Sequence, residues 1–199
     1  ADGSAAAWGN ASLGKTTVPS DLSAVVQVGG GYGFSVALKS DGSVVAWGDN
    51  GYGQSTVPAA ATGVIQIAVG ADHVLALRGD RTVVEWGASW GGGQGPPSGL
   101  ASVRQVGAGR EFSVALVSGG TVVAWGNNGN GETAVPPGLS TVESLSAGGY
   151  HTLALKRDAT VQAWGSNGQG QSAVPASLSN VSEVAGGWFH SVACKGDGS

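Results

Sequence analysis

The dipeptide Trp-Gly occurs at Trp8, Trp47, Trp86, Trp125 and Trp164, each 39 residues beyond the last. A period held without a slip marks a repeat architecture, in which one small unit is copied and stacked on itself. It divides the chain into units 2–40, 41–79, 80–118, 119–157 and 158–196, and residues 197–199 copy Asp2-Gly3-Ser4. Within a unit three short runs rich in Val, Ile and Leu are bounded by Gly, Asp or Pro, as at residues 64–68, 74–77 and 44–47. These runs read as strands. Asp41-Gly42 between two of them is a hairpin signal, because such residues adopt positive φ cheaply. Pro19, Pro58, Pro97, Pro136 and Pro175 fall in the connection between units, since Pro has no place in a central strand.

The second and third strands are apolar on both sides of the pleat, as sheets packed face to face require. Five such sheets stack either linearly or radially. A linear stack wants polar caps, whereas the last unit keeps Val192, Ala193 and Cys194. Its end leads into a hairpin whose outgoing strand would be residues 4–8. The expected fold is therefore all-β: one domain, a five-bladed β-propeller of 39-residue repeats, its last blade completed by the N-terminal strand. The repeating Trp residues are expected between blades. Cys194, in the place of Leu38, Leu77, Leu116 and Leu155, is expected to be a small core residue. With Ala5-Ala6 replacing Val-Val, this seam would be the weakest joint.

The elements V-x-A-W-G-x-N-x-x-G-Q and G-x-x-H-S-x-A-L, best preserved at residues 43–54, 120–132 and 148–155, resemble the regulator-of-chromosome-condensation repeat family. The compact period is most similar to the secreted bacterial propellers that inhibit β-lactamases. The resemblance implies a propeller and a binding role. Those relatives have seven blades, so five units stand for a smaller ring or a partial array.

Composition narrows the partners. The formal charge is −4, and nine scattered Lys and Arg make no stripe to neutralise phosphates, so nucleic acid and anionic membranes are not expected. No apolar run of 18 residues would span a bilayer. Low charge, abundant Gly and Trp and a single Cys lean towards a secreted or extracellular protein. Without an initiator Met the chain reads as a processed product or an excised segment.

Catalytic and metal-binding signals are weak. His73, His151 and His190 share one repeat place that Phe34 and Phe112 fill elsewhere, so the place calls for a flat ring and not an ion. The loop beginning at Asp49 has Ala60 where a calcium loop needs Glu. No G-x-S-x-G elbow or carboxylate pair stands out. No cofactor, metal or catalytic residue is expected. The sequons at Asn10 and Asn180 are of chance frequency.

Residues outside the recurrence carry the functional reading. Strand direction sends the first-to-second loops and the loops leaving Trp-Gly to one end. Tyr32, Tyr150, Trp188 and Phe189 lie in the former, Tyr52 and Trp90 in the latter, with Asp72, Arg110 and Glu111 among them. An aromatic cluster of this kind marks an interface, because Trp, Tyr and Arg anchor protein contacts. The expected role is a monomeric, non-enzymatic module docking a protein, in the manner of an enzyme inhibitor. A propeller lectin is the alternative, but the place of Tyr32 becomes Ala71, Arg110, Gly149 and Trp188 in turn, and equivalent sugar sites would repeat. Two further readings stay open: some rings fold over the central opening as a lid, or the array is purely structural.

Overall fold

The computed structural model describes residues 3–89 and 95–196. Blade 1 consists of β1 (Val25–Gly30), β2 (Phe34–Lys39) and β3 (Val44–Gly48). Blade 2 consists of β4 (Val64–Val69), β5 (His73–Arg78) and β6 (Val83–Gly87). Blade 3 contains β7 (Val103–Ala108), β8 (Phe112–Val117) and β9 (Thr121–Gly126). Blade 4 contains β10 (Val142–Ala147), β11 (His151–Lys156) and β12 (Val161–Gly165), and blade 5 holds β13 (Val181–Gly186) and β14 (Ser191–Lys195). Every pairing is antiparallel between chain neighbours, and β1, β4, β7, β10 and β13 follow one another in contact. The architecture is a β-propeller.

Its cores lie between blades. Phe34, Val36 and Leu38 of blade 1 close on Val64 and Ile67 of blade 2, and Leu75 and Leu77 close on Val103 and Val106. Phe112, Val114 and Leu116 meet Val142 and Leu145, and Leu153 and Leu155 meet Val181 and Val184. Each middle strand thus buries itself against the inner strand of the next blade, and no blade owns a complete core. Amide clamps add direction. Gln27 donates from Nε2 to the Ile67 carbonyl at 2.8 Å and accepts the Ile67 N–H at 2.9 Å. Gln66 holds Val106, and Gln105 holds Leu145, in the same way.

The flat-ring reading of the His/Phe place holds. A Cβ on Gly31, Gly70, Gly109, Gly148 or Gly187 would fall 2.0–2.3 Å from the ring of Phe34, His73, Phe112, His151 or His190. The ring lies directly on the glycine, so nothing larger fits. His73 and His151 are buried, with Nε2 3.1 Å and 2.8 Å from Ser113 Oγ and Ser191 Oγ; His190 is exposed.

Each inner strand also carries a bulge, at Val25/Gln27, Val64/Gln66, Val103/Gln105, Val142/Ser144 and Val181/Glu183. The residue before it is left-handed every time, with φ between 56° and 60° at Ala24, Gly63, Ser102, Thr141 and Asn180. Gly63 takes that conformation freely and Asn180 tolerates it, whereas Ala24, Ser102 and Thr141 hold it against their Cβ atoms.

The expected closure is not made. Among the described residues blade 5 has two strands, and residues 3–11 contribute none. Val28 on β1 is 62% exposed, while Ile67, Val106, Leu145 and Val184, its counterparts, are 3–9% exposed. Val192 on β14 is 57% exposed, against 0–2% for Val36, Leu75, Val114 and Leu153. Cys194 is exposed and not a core residue, and Trp8 is 86% exposed and not packed between blades. The physical reason lies in the inter-blade cores. They set the turn from blade to blade, and the four cores join blades 1 to 5 in succession without joining blade 5 to blade 1. The methyl groups of Ala5, Ala6 and Ala7 offer little apolar area to draw them together.

Candidate functional site: an aromatic loop face

The loops reach one end of the propeller because each segment leaving Trp-Gly is bonded to the first-to-second loop of its own blade. Asp49 N–H donates to the Gly33 carbonyl at 2.9 Å, and Ala88 to Asp72, Asn127 to Glu111 and Ser166 to Tyr150 at 2.8–2.9 Å. The first-to-second loops are bonded in turn around the axis. Tyr32 N–H donates to the Ala71 carbonyl, Ala71 to Arg110, Arg110 to Gly149 and Gly149 to Gly187. This belt rims an axial cavity of about 450 Å³, lined by Tyr32, Ala71, Arg110, Gly149 and Trp188 among others.

Blades 3, 4 and 5 combine at the rim. Tyr150 and Phe189 stack with centroids 5.6 Å apart and planes 15° apart, and Trp188 stands edge-on to both, at 5.9 Å and 6.4 Å. The Arg110 guanidinium carbon lies 5.3 Å from the Tyr150 ring centre, and Arg110 Nη1 donates to the Tyr150 hydroxyl at 2.5 Å. Glu111 anchors this arm. Its Oε1 is 3.4 Å from Arg110 Nη2, and its Oε2 accepts from Asn127 Nδ2 at 2.7 Å. Cation–π contact and ring stacking keep Arg110 and Tyr150 ordered before any partner arrives, which lowers the entropy that binding must overcome. Trp188 and Phe189 remain half-exposed.

The other expected residues are distributed around this group. Tyr32 is exposed on the same cavity, so Tyr32 and Trp188 edge the axial opening without covering it. Burial, chiefly, and the Asp49 and Glu111 carboxylates raise the Asp72 carboxyl above its ordinary range, against the pull of Arg110. The charged groups therefore form one electrostatic set. Tyr52 is exposed on the exit loop of blade 1, its N–H donating to Gln54 Oε1. Trp90 lies outside the described residues. At the opposite end Lys39, Arg78 and Lys156 pair with the hairpin residues Asp41, Asp80 and Asp158.

A second cluster, between blades 2 and 3, was not anticipated. Elsewhere one loop carbonyl serves the next blade's Trp indole, its Ser hydroxyl or both. The Lys15 carbonyl accepts from Trp47 Nε1 at 2.9 Å and Ser35 Oγ at 2.8 Å. The Gln54 and Glu132 carbonyls accept from Trp86 and Trp164. In blade 3 both donors turn to a carboxylate: Ser113 Oγ to Glu85 Oε1 at 2.9 Å and Trp125 Nε1 to Glu85 Oε2 at 2.8 Å. Burial raises the Glu85 carboxyl, with these two bonds opposing it, and burial lowers His73 to about 4. Ser113, His73 and Glu85 are thus neighbours, yet Ser113 is 1% exposed and offers no face to a substrate. The sequence signal was available: Glu85 replaces the Ala of Ala46, Ala124 and Ala163.

The model of the regulator of chromosome condensation (RCC1) repeat matches residues 25–54, 103–132 and 142–171. These are RCC1-type repeats. Among solved structures, yeast RCC1 (Prp20) bound to Kap60 superposes with a TM-score of 0.73 at 23% identity, over 87% of this chain and 54% of that one. The ectodomain of the Physcomitrella patens receptor kinase CR4 gives 0.70 at 26% identity, over 87% and 50%. Human WBSCR16 gives 0.73 at 23%, over 92% and 65%. The likeness is one of fold, and the chain spans about half the length of the first two. No curated protein matches it in sequence.

Proposed function

We propose that this RCC1-type propeller is a non-enzymatic module that docks a protein partner through its loop face, and that it acts on an enzyme target by occlusion. The observation that carries the reading is the stack of Arg110, Tyr150 and Phe189 with Trp188 on edge, half-exposed and pre-ordered. Rings held in this way lose little entropy on binding, and an Arg beside them adds directional contacts. Glu111, Asp72 and Tyr32 extend the surface around the axial opening, with Tyr52 on an outer loop. Asymmetry supports one large partner over repeated small ligands, because the place of Tyr32 differs in every blade. Of two structures of yeast RCC1 (Prp20), one is bound to Kap60 and the other concerns binding to Gsp1p and histones.

The test is a binding screen against secreted enzymes, serine β-lactamases first, with a glycan array alongside. A protein ligand whose affinity falls by about tenfold or more in Arg110→Ala and Trp188→Ala, at unchanged melting temperature, supports the reading. A multivalent glycan signal without any protein ligand, or affinity indifferent to both substitutions, contradicts it.

A further inference from the structure

Asn-Gly is the dipeptide at which a main-chain nitrogen most readily attacks a side-chain amide, because glycine has no Cβ to shield its nitrogen or restrict its backbone. It occurs at Asn50, Asn128, Asn130 and Asn167. Asn50, Asn128 and Asn167 share one repeat place, in the loop leaving Trp-Gly, and hold that loop in the same way. Their Oδ1 atoms accept the N–H groups of Ser55, Thr133 and Ser172 at 3.0 Å. Their carbonyls accept the N–H groups of Gly53, Gly131 and Gly170 at 3.0–3.2 Å. These bonds are common to the three loops and do not rank them.

The residue before each Asn does. In blade 1 the Gly51 N–H donates to Asp49 Oδ1 at 3.1 Å, and in blade 3 the Gly129 N–H donates to Asn127 Oδ1 at 2.8 Å. A nitrogen held in this way must break its bond before it can attack. Blade 4 has Ser166 at this place, and among the described residues the Gly168 N–H has no hydrogen-bond partner. A Cβ built on Gly168 would meet nothing within 4 Å, and Asn167 and Gly168 are both exposed. The leaving group is free as well. Asn50 Nδ2 donates to Thr56 Oγ1 at 2.9 Å, whereas Ala173 stands at that place in blade 4. Asn130 is closed at both atoms: its Nδ2 donates to Glu132 Oε1 at 2.7 Å, and the Gly131 N–H to the Asn128 carbonyl. Position in the array does not account for the difference. Gly129, with the complete blade 4 after it, meets only Asn127 Oδ1 of its own loop.

We infer that Asn167-Gly168 is a site of spontaneous modification, at which the chain converts its own amide into a carboxylate. The Gly168 nitrogen gives up its proton to solvent and attacks Asn167 Cγ. A bond forms between that nitrogen and Cγ, the bond from Cγ to Nδ2 breaks, and the amide leaves as ammonia with a proton from water. The Ser172 N–H is already aimed at the oxygen on which charge develops. Water then opens the cyclic imide at either of its carbonyls, yielding aspartate or isoaspartate with no change in oxidation state. The Ser166 N–H donates to the Tyr150 carbonyl, so the product adds a negative charge to the loop face. As isoaspartate it also adds a methylene to the main chain of that loop.

The experiment follows the native full chain in mildly alkaline solution by peptide mapping and mass spectrometry, with the unfolded chain alongside. In the native protein Asn167 should convert about fivefold or more faster than Asn128 and Asn50, the factor set by one hydrogen bond that must break before the other nitrogens can attack. In the unfolded chain the three rates should converge. Exchanging the preceding residues should exchange the behaviour: Ser166→Asn protects Asn167, and Asn127→Ser brings Asn128 up to the native rate of Asn167. Both aspartate and isoaspartate should be recovered at position 167. No conversion of native Asn167 while the unfolded chain converts, Asn128 or Asn50 as fast as Asn167, an order unmoved by the exchange or by unfolding, or aspartate as the sole product would overturn the inference.

Discussion

Trp164 and Trp8 occupy one place in the repeat, yet the first is 7% exposed and the second 86%. The same divergence separates Leu153 from Val192 and Val184 from Val28. Nothing in the local sequence distinguishes these pairs strongly. What differs is the neighbour, because each hydrophobic core is built from the middle strand of one blade and the inner strand of the next. A stack of this kind makes one core fewer than it has blades, unless it closes, and leaves a raw half-core at each end. Stability is then a sum over interfaces, and a residue's contribution depends on its position in the stack.

The sharpest way to break this comparison is to delete the indole at both places. Trp164→Ala should cost about 3–5 kcal/mol, through lost packing and the lost bond to the Glu132 carbonyl. Trp8→Ala, measured in dilute solution, should change the unfolding free energy by less than about 0.5 kcal/mol. Similar losses at both positions in denaturant titrations would mean that the ends are packed like the interior.

A smaller effect sharpens it. His73 is buried and neutral, its pKa lowered to about 4 from 6.5. The native state therefore binds fewer protons than the unfolded chain, and stability is lost as pH falls from 6.5 towards 4. Glu85, raised by the same burial, acts in the opposite sense and offsets part of the loss. His73→Phe installs the ring found at Phe34 and Phe112 and should flatten the acid side of the stability profile. Melting temperatures between pH 7 and pH 4 decide; an acid side as steep in His73→Phe as in the unsubstituted protein would mean that the interior ring is not held neutral by its burial between blades.

Much of a single blade was legible in the chain. The 39-residue period superimposes five versions of each strand, so accidental residues average out and the Val, Leu and Ala positions remain. The ring at Phe34 or His73 was legible as a ring because two chemistries share one shape. Relations between blades were harder to read. The turn from blade to blade is set by the volume trapped between them, which no short motif records, so closure through residues 4–8 was expected and is absent. The bulges were hidden because Ala24, Ser102, Thr141 and Asn180 adopt a left-handed backbone that only Gly63 advertises. The clamps at Gln27, Gln66 and Gln105 show in the chain only as a recurring Gln, because an apolar pattern does not mark a side chain that reaches the next blade. The loop face was partly legible: strand direction grouped the loops, while the stacking of Tyr150 on Phe189 under Arg110 depends on contacts across blades.

The most direct test of the open arc is the reactivity of Cys194, the only thiol in the chain. It sits on the trailing strand of blade 5, where a closed ring would bury it as it buries Leu38, Leu77, Leu116 and Leu155. An aromatic disulfide reagent added to dilute native protein should label it at a rate close to that of the unfolded chain. A thiol protected in the native state and released only on unfolding would contradict the open arc and restore the closed ring.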